Sequence, residues 1–407
     1  MNVERCAHRR IDMSRGLPGP EQIALSRPLL NLPGELPFAS SDGQDWLNYG
    51  GLQGVTEVRE LLAPILLGLP ACQCAMGGNS SLALMHQTLA QAWIKGFPGA
   101  LPWAQAPRIR FLCIEPGYDR HFAICEYFGI EMVPVPMCAD GPDMDIVERH
   151  VATDASVRGM WCVPRHANPT GTIYSAATIE RLGSMPSAAK DFRIICDNAY
   201  VVHDFPQDEA YAQADALTLH AAACRAGHED RVLAFASTSK MTIPGAGIAL
   251  FGASPRMLEW WLQGQRARTV GPDKVNQVRH LLFFRDAANL HAHMRRQGAL
   301  VQLRVRCVEQ IFQRYLDDME GVSWSSPSGG YFLCLRLPVG TARDVAQRAA
   351  TQGVQLTKPG ATHCHGLDPE DRYLRIAPSQ LSLDDTVVAA TVVARTVEAV
   401  CGKGDAR

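Results

Sequence analysis

The sequence has no long apolar run: no segment offers the ~18 uncharged apolar residues that a membrane-spanning helix requires. No apolar stretch follows Arg9-Arg10 either, so we expect no secretory signal peptide. Charge is scarce and balanced, with 20% charged residues and a net charge of -2. This balance gives no electrostatic argument for binding nucleic acid or an anionic membrane. We therefore expect a cytoplasmic globular protein that binds neither.

The sequence also lacks the paired cysteine spacing of a zinc site, although it contains 13 cysteines. Most of them stand singly in apolar segments, where a reduced thiol behaves as a small hydrophobic residue. The segment Thr362-His363-Cys364-His365 contains metal-binding residue types, but no second cluster accompanies it. We predict no metal site.

Short apolar runs alternate with helical segments from residue 72 onward. At 407 residues the chain exceeds the length at which one hydrophobic core keeps growing, so we expect a large domain and a smaller one. Strands that alternate with helices predict a mostly parallel sheet with helices on both faces. The strand-like runs are residues 109–114, 132–136, 159–163, 192–196, 232–236 and 248–251.

The pattern changes after residue 284. A long helical segment at 287–315 is followed by short strand-like runs and two further helical segments, which predicts a small α+β domain. We expect the chain to be divided into an N-terminal arm with part of the small domain, a large domain and a small C-terminal domain. The predicted bounds are 1–50, 51–285 and 286–407.

The segment Ser237-Thr238-Ser239-Lys240 directly follows the apolar run 232–236 and precedes a Pro/Gly turn. Desolvation lowers the pKa of a lysine and favours a nucleophilic neutral amine. Such an amine forms a Schiff base with an aldehyde, and neighbouring serine hydroxyls and backbone N–H groups suit an anion. By itself the tetrapeptide favours an ordinary lysine in a surface turn, so the interpretation depends on the rest of the chain.

Three further polar segments stand at the ends of predicted elements. Gly77-Gly78-Asn79-Ser80-Ser81 opens a helix, and the N–H groups at a helix start bind phosphate well. Asn168-Pro169-Thr170-Gly171 follows one strand-like run, and Asp197-Asn198-Ala199-Tyr200 follows the next. Each alone is compatible with a turn or a satisfied carboxylate. Together with Lys240 they predict one cleft at the carboxyl ends of neighbouring strands, where ligands bind in open α/β sheets.

The order of the motifs carries more information than any one of them. The motifs are Gly-Asn-Ser-Ser (78–81), Pro-Gly-Tyr-Asp-Arg-His (116–121), Asn-Pro-Thr-Gly (168–171), Asp-Asn-Ala-Tyr (197–200), Ser-Thr-Ser-Lys (237–240) and Leu-Arg-Ile-Ala-Pro-Ser (374–379). This order resembles the pyridoxal-phosphate-dependent aminotransferases of fold type I, class I/II. Asn-Tyr-Gly-Gly-Leu (48–52) and Gly-Pro-Asp-Lys-Val-Asn-Gln (271–277) resemble, more narrowly, a bacterial aspartate aminotransferase subgroup. The resemblance covers about residues 11–400 and implies a large α/β domain with a mostly parallel seven-stranded sheet beside a smaller α+β domain.

The resemblance implies pyridoxal 5′-phosphate as the cofactor. Lys240 would form the Schiff base and later move a proton, and Asp197 would pair with the pyridinium nitrogen. Tyr118 would stack on the ring, whereas Asn168 and Tyr200 would bind its hydroxyl oxygen. The phosphate would be held by residues that the resemblance places at its cradle: Asn79, Ser80, Ser81, Ser237 and Ser239.

The resemblance also implies how substrates and a second subunit would bind. Arg375 would clamp the substrate α-carboxylate bidentately, with Asn168 beside it. Tyr49 would reach the phosphate of the partner subunit, so the expected assembly is a homodimer with shared active sites. The substrates would be an L-amino acid and a 2-oxo acid.

Several positions depart from the wider class. Ile248 stands where many relatives have a phosphate-binding arginine. Lys274 is our candidate for that charge or for the distal carboxylate of a substrate, with a solvated turn lysine as the alternative. Leu17, in an arm whose residues 15–20 are expected to be extended, stands where the subgroup more often has lysine. Arg165-His166-Ala167 before Asn168 is also unusual, and these changes weaken the assignment of aspartate.

The sequence thus predicts a homodimeric aminotransferase with a ping-pong Schiff-base mechanism, aspartate and 2-oxoglutarate being the default pair. The alternative is elimination, replacement or carbon–carbon bond formation on the same cofactor in a specialised biosynthetic pathway. A transcription regulator with an aminotransferase-like domain would require a DNA-binding region before the arm. Only about ten residues precede Ile11, so we do not favour that class.

Overall fold

The computed structural model describes residues 10–32, 34, 40–206 and 218–402. Residues 1–9, at the start of the predicted arm, and 403–407, at the end of the predicted small domain, lie outside these ranges. The helices are α1 Pro20–Ser26, α2 Thr56–Leu67, α3 Ser81–Lys95, α4 Asp119–Phe128, α5 Met144–Thr153, α6 Ala176–Ser184, α7 Leu219–Arg225, α8 Pro255–Arg266, α9 Lys274–Phe284, α10 Ala287–Leu316, α11 Ala342–Thr351 and α12 Leu383–Cys401. The strands are β1 Ile11–Asp12, β2 Cys74–Met76, β3 Arg110–Glu115, β4 Glu131–Cys138, β5 Gly141–Pro142, β6 Val157–Cys162, β7 Arg193–Asp197, β8 Val232–Ser237, β9 Ala249–Gly252, β10 Ser323–Trp324, β11 Leu333–Arg336, β12 Val354–Gln355 and β13 Tyr373–Ile376.

The central sheet has the strand order β2-β9-β8-β7-β6-β3-β4-β5. The neighbours β8, β7, β6, β3 and β4 all pair in parallel, whereas β9 is antiparallel to both of its neighbours. The prediction of a mostly parallel sheet in an α/β fold is therefore confirmed. The two-residue strand β5 adds an antiparallel edge to the seven expected strands, because the chain turns back at residues 139–140 and then pairs with the end of β4.

Both faces of this sheet are buried. Successive residues of β8 alternate between two hydrophobic clusters: Val232 and Ala234 lie in one, Leu233 and Phe235 in the other. Because side chains alternate across a strand, the two clusters lie on opposite faces of the sheet. A strand that is covered on both sides must be apolar throughout, which explains the uninterrupted apolar runs in the sequence.

A third hydrophobic cluster lies in the C-terminal part of the chain, where α10 and α12 pack together. It is covered by the antiparallel sheet β10-β11-β13 and by the parallel pair β1-β12. The pair β1-β12 joins Ile11 to Val354, so the N-terminal segment packs with residues that follow it by more than 300 positions. This arrangement supports an α+β unit that includes the arm, and the exact domain bounds remain a prediction.

The helix α1 was not predicted from the Pro/Gly-rich arm. Pro20 occupies the first helical position, where its missing N–H would be unsatisfied anyway. The Gln22 side chain accepts a hydrogen bond from Gly19 N at 3.0 Å and thereby caps the helix start. None of the helices in the described ranges is long and apolar enough to cross a membrane.

Candidate active site

A cavity of ≈ 260 Å³ lies at the carboxyl ends of the parallel strands. Because β3, β6, β7 and β8 are neighbours in the sheet, the segments that follow them converge on this one place. The predicted site residues that line it are Asn79, Ser80, Ser81, Tyr118, Asn168, Asp197, Tyr200, Ser237, Ser239 and Lys240. The apolar residues Leu82, Val163, Ala199 and Pro244 complete the described lining.

Lys240 ends a short 3₁₀ turn that begins directly after β8. The turn is fixed by Thr238, which is fully buried and exchanges hydrogen bonds with the backbone of Ile248. The Lys240 carbonyl accepts a hydrogen bond from the Tyr331 hydroxyl at 3.0 Å. With its backbone held in this way, the Lys240 ammonium lies over the Tyr200 ring, 5.0 Å from the ring centroid.

The N-terminus of α3 forms a cradle with the turn after β8. Ser80 is the N-cap of α3, and its Oγ accepts a hydrogen bond from Ala83 N at 3.2 Å. Ser239 Oγ donates to the Asn79 carbonyl at 2.6 Å, and Ser237 Oγ lies 2.9 Å from the same carbonyl oxygen. Hydroxyls and free N–H groups at a helix start suit a phosphate.

Position 248 does not contribute to this cradle. The Ile248 side chain is 1% exposed and belongs to the core on one face of the sheet. Among the described residues that line the cavity, Lys240 is the only cation. An anion in the cradle would therefore be bound mainly by hydroxyls, N–H groups and the dipole of α3 rather than by an arginine.

Asp197 ends β7 and is 4% exposed. Its Oδ2 lies 3.1 Å from His121 Nε2, and the His121 ring stacks on Trp161 with a centroid distance of 4.4 Å. Asp197 Oδ1 is buried and has no hydrogen-bond partner among the described residues. Because a buried carboxylate oxygen without a partner is costly, this atom identifies the place of a ligand's donor group.

The two tyrosines of the cavity remain protonated at neutral pH. Burial raises the pKa of Tyr118 to about 12 and raises the pKa of Tyr200 well above its usual value. Tyr200 therefore presents a phenol that donates a hydrogen bond. The ring of Tyr118 meets the His121 ring edge-on, with the centroids 5.0 Å apart.

Arg375 lies beside the cavity rather than among the residues that line it. Its Nη1 donates to Asn168 Oδ1 at 3.3 Å, which joins the guanidinium to the cavity wall. Arg375 stands on β13 in the C-terminal sheet, and its guanidinium lies over the Phe332 ring at 5.1 Å. Asn168 follows β6 of the central sheet, so its contact with Arg375 joins the central sheet to the C-terminal one.

Lys274 is not a solvated turn lysine. It is 4% exposed, and its ammonium donates to the carbonyls of Asp45 at 2.7 Å and Tyr49 at 3.4 Å. It does not line the cavity; instead it fixes the loop that carries Tyr49. Tyr49 itself is 83% exposed and also does not line the cavity.

The other unusual positions do not line the cavity. Leu17 is exposed, and its carbonyl accepts a hydrogen bond from Ser379 Oγ at 2.8 Å. Arg165 and His166 both bind Asp204, with Arg165 Nη2 at 2.5 Å and His166 Nε2 at 2.8 Å from its Oδ1. Neither Arg165 nor His166 lines the cavity, and a direct contact of either with the substrate remains a prediction.

Sequence reasoning gave no role to His121, although the residue stood in a quoted motif. The sequence feature that could have identified His121 is its position three residues after Tyr118, because residues three apart at a helix start share a face. Nothing in the sequence indicates that Thr357 and Ser14 hold Arg375. Arg375 Nε donates to Thr357 Oγ1 at 3.2 Å, and its Nη2 donates to the Ser14 carbonyl at 3.2 Å.

Within the described ranges, no group of three or more His, Cys, Asp or Glu side chains could hold a metal ion.

Two buried histidines that contact the turn 238–240, His203 and His280, predict that stability depends on pH. Burial lowers the pKa of His203 to about 3 and that of His280 to about 4, from 6.5. The Asn276 carbonyl, 2.8 Å from His280 Nδ1, offsets part of this lowering of the pKa, and His280 Nε2 lies 3.0 Å from Thr238 Oγ1. Below pH ~6.5 the unfolded chain binds protons that the folded chain does not, so stability falls as the pH falls.

At pH 5 each of these histidines is expected to cost about 2 kcal/mol of unfolding free energy relative to pH 7.5. Denaturant unfolding at the two pH values measures the loss. His280→Gln should reduce the difference between them by about 2 kcal/mol, because glutamine does not titrate. His291→Gln, a change at an exposed position, serves as the control and should leave it unchanged. An identical pH dependence in all three proteins would contradict the prediction.

The whole chain is similar to proteins of one family. Residues 5–405 match the family model described as aspartate amino-transferase. A Mycolicibacterium smegmatis protein with a provisional aminotransferase name is 45% identical over 379 residues, which is 92% of this chain and 87% of that protein. The aspartate aminotransferase of Corynebacterium glutamicum is 40% identical over 389 residues, covering 95% of this chain and 89% of the relative.

The fold is similar to that of solved structures. The crystal structure of an aspartate transaminase from Corynebacterium glutamicum matches with a TM-score of 0.93 and 37% identity, over 99% of this chain and 95% of that one. LysN, the α-aminoadipate aminotransferase of Thermus thermophilus, matches with a TM-score of 0.74 at 20% identity, over 99% of this chain and 96% of that one. At that identity the likeness concerns the fold alone.

Proposed function

Because this chain belongs to the aspartate amino-transferase family, we propose that it binds pyridoxal 5′-phosphate in the cavity and transfers the α-amino group of an L-amino acid to a 2-oxo acid. Aspartate and 2-oxoglutarate are the default pair, supported by the 40% identical Corynebacterium relative. The two acids would use the same site in turn, in a ping-pong mechanism.

The observation that carries the proposal is the unpartnered Oδ1 of Asp197. A protonated pyridine nitrogen is a donor that this buried oxygen lacks, and the charge of the carboxylate would keep that nitrogen protonated. His121 on the other carboxylate oxygen orients the group. The hydroxyl cradle at the start of α3, on the same cavity, suits the phosphate of the cofactor.

The side chains of the cavity have separate tasks in this proposal. When bound, pyridoxal phosphate supplies an aldehyde for imine formation and a ring that accepts carbanion electrons. Lys240 would hold this aldehyde through its amine and, once released by the substrate amine, would move a proton between the substrate Cα and C4′ of the cofactor. Tyr200 and Asn168 would donate hydrogen bonds to the ring hydroxyl oxygen. Tyr118 would cover one face of the ring and exclude water from it.

Substrate binding in this proposal depends on Arg375, with Asn168 beside it. The planar guanidinium fork matches the α-carboxylate that every amino acid and 2-oxo acid of the reaction carries. A direct contact of Leu17 or Lys274 with the substrate remains a prediction.

We propose further that the protein is a homodimer. Tyr49 is exposed on its own subunit, and the apolar side chains of Leu47 and Val270 nearby are 64% exposed each. The loop is fixed, because Gly50 N donates to the Val270 carbonyl and Lys274 binds the Tyr49 carbonyl. A rigid exposed loop with apolar side chains is suited to reach the phosphate of the partner subunit.

An absorbance titration tests the proposed function. The purified protein with cofactor is titrated with L-aspartate, then with other L-amino acids, and finally with 2-oxoglutarate. Loss of the cofactor's visible band with an amino acid and its return with a 2-oxo acid would support transamination. A band that aspartate leaves unchanged, but another amino acid removes, would overturn the default substrate. Release of a product other than the 2-oxo acid would favour elimination or replacement.

A further inference from the structure

Four of the five N–H groups of the Arg375 guanidinium are engaged by the protein itself. Its Nε donates to Thr357 Oγ1 and its Nη2 to the Ser14 carbonyl, each at 3.2 Å. Its Nη1 donates to Asp119 Oδ1 at 3.1 Å and to Asn168 Oδ1 at 3.3 Å. A carboxylate that binds the guanidinium end-on takes one N–H from each Nη atom, and both N–H groups of Nη1 are in use, whereas Nη2 donates one of its two to Ser14.

Asp119 differs from the other partners of Arg375 because it is charged. Its carboxylate is chemically equivalent to the α-carboxylate of a substrate, and through Oδ1 it occupies an N–H of Nη1 that an end-on substrate carboxylate would need. The Arg375 side chain is 9% exposed, whereas that of Asp119 is 32% exposed. The carboxylate is thus the more exposed member of the pair and the one that solvent and substrate can reach.

The structure also provides a second place for the Asp119 charge. Asp119 is the first residue of α4, where the helix dipole stabilises a negative charge. Arg120 Nε lies 3.9 Å from Asp119 Oδ2, and the Arg120 side chain is 55% exposed. If Asp119 leaves Arg375, its carboxylate can turn toward Arg120 and remain paired, so the exchange leaves no unpaired buried charge.

We propose that Asp119 is an internal competitor of the substrate α-carboxylate for Arg375. In the empty site it neutralises and orients the guanidinium; a substrate carboxylate then displaces it toward Arg120. Asp119 thereby weakens the binding of amino acid and 2-oxo acid alike and speeds the release of product. This positioning role rests on the proposed function, in which Arg375 binds the α-carboxylate.

The test compares succinate binding to the wild-type holoenzyme and to Asp119→Asn by calorimetry. The isosteric amide has no charge, so succinate should bind about five- to tenfold more tightly, and KM for both substrates should fall by a similar factor without a rise in kcat. Asp119→Glu keeps the charge and should bind succinate like the wild type. Asp384→Asn, at an exposed position on α12, is the matched control.

Equal or weaker succinate binding by Asp119→Asn would overturn the inference, because it would make Asp119 a support for Arg375 instead of a competitor. This outcome is separate from failure of the proposed function. If no amino acid changes the cofactor spectrum of the wild type, transamination is refuted, while the succinate titration still decides whether Asp119 competes for Arg375.

Discussion

Replacing Lys240 with alanine is expected to abolish amino transfer, lowering kcat by at least ~10³-fold. The variant loses the amine that binds the cofactor aldehyde and also the base that moves the Cα proton, and no other cation among the described lining residues can replace it. The fold should persist, because Tyr331 binds the Lys240 carbonyl and Thr238 fixes the turn that carries it, and neither contact involves the ammonium. Steady-state kinetics with the amino donor found by titration measures the loss.

The matched control is Lys190→Ala, at an exposed position, which should retain wild-type activity. A second measurement uses the proposed dimer. Mixing Lys240→Ala with Tyr49→Phe forms hybrids in which one site has both native side chains, so activity should exceed that of either variant alone. Retention of more than about a tenth of the wild-type kcat by Lys240→Ala would refute its role as nucleophile and base.

The central sheet could be predicted from sequence because burial on both faces demands uninterrupted apolar strands. The run 232–236, for example, became β8 with one added residue, Ser237. The cavity was predictable from the parallel order of the strands, because neighbouring parallel strands bring the residues that follow them to one edge of the sheet. The helix α1 was not predicted, because no apolar periodicity marks it. Its start depends on Pro20 at the first helical position and on the Gln22 side chain, which accepts a hydrogen bond from Gly19 N.

Contacts between residues far apart in the chain could not be predicted from the sequence. Asp119 and Arg375 are 256 positions apart, and their contact depends on how the sheet with β13 sits against the start of α4. Lys274 illustrates the same limit: a lysine in a Gly/Pro/Asp segment is typical of an exposed turn, yet here two backbone carbonyls from a distant loop bind its ammonium and bury it. Composition does not encode such a partner, so only the tertiary structure reveals the role.

Asp197→Asn is expected to lower kcat by about 10²-fold or more while the cofactor stays attached through Lys240. Asparagine has the size of aspartate and can still accept a hydrogen bond from His121. It carries no negative charge, however, and its amide would turn either a neutral oxygen or an N–H toward the place of Oδ1. In neither case is a pyridine nitrogen kept protonated, so the ring loses most of its capacity to accept electrons.

The informative result is that Asp197→Asn still binds the cofactor but turns over more slowly. Absorbance should show bound cofactor in Asp197→Asn, thermal melting should show a folded protein, and kinetics should show the loss in kcat. Asp384→Asn, the same chemical change at an exposed position, should match the wild type in all three measurements. If Asp197→Asn turned over within about threefold of the wild type, the unpartnered oxygen would have no part in the chemistry, and the assignment of the cofactor's orientation would have to be abandoned.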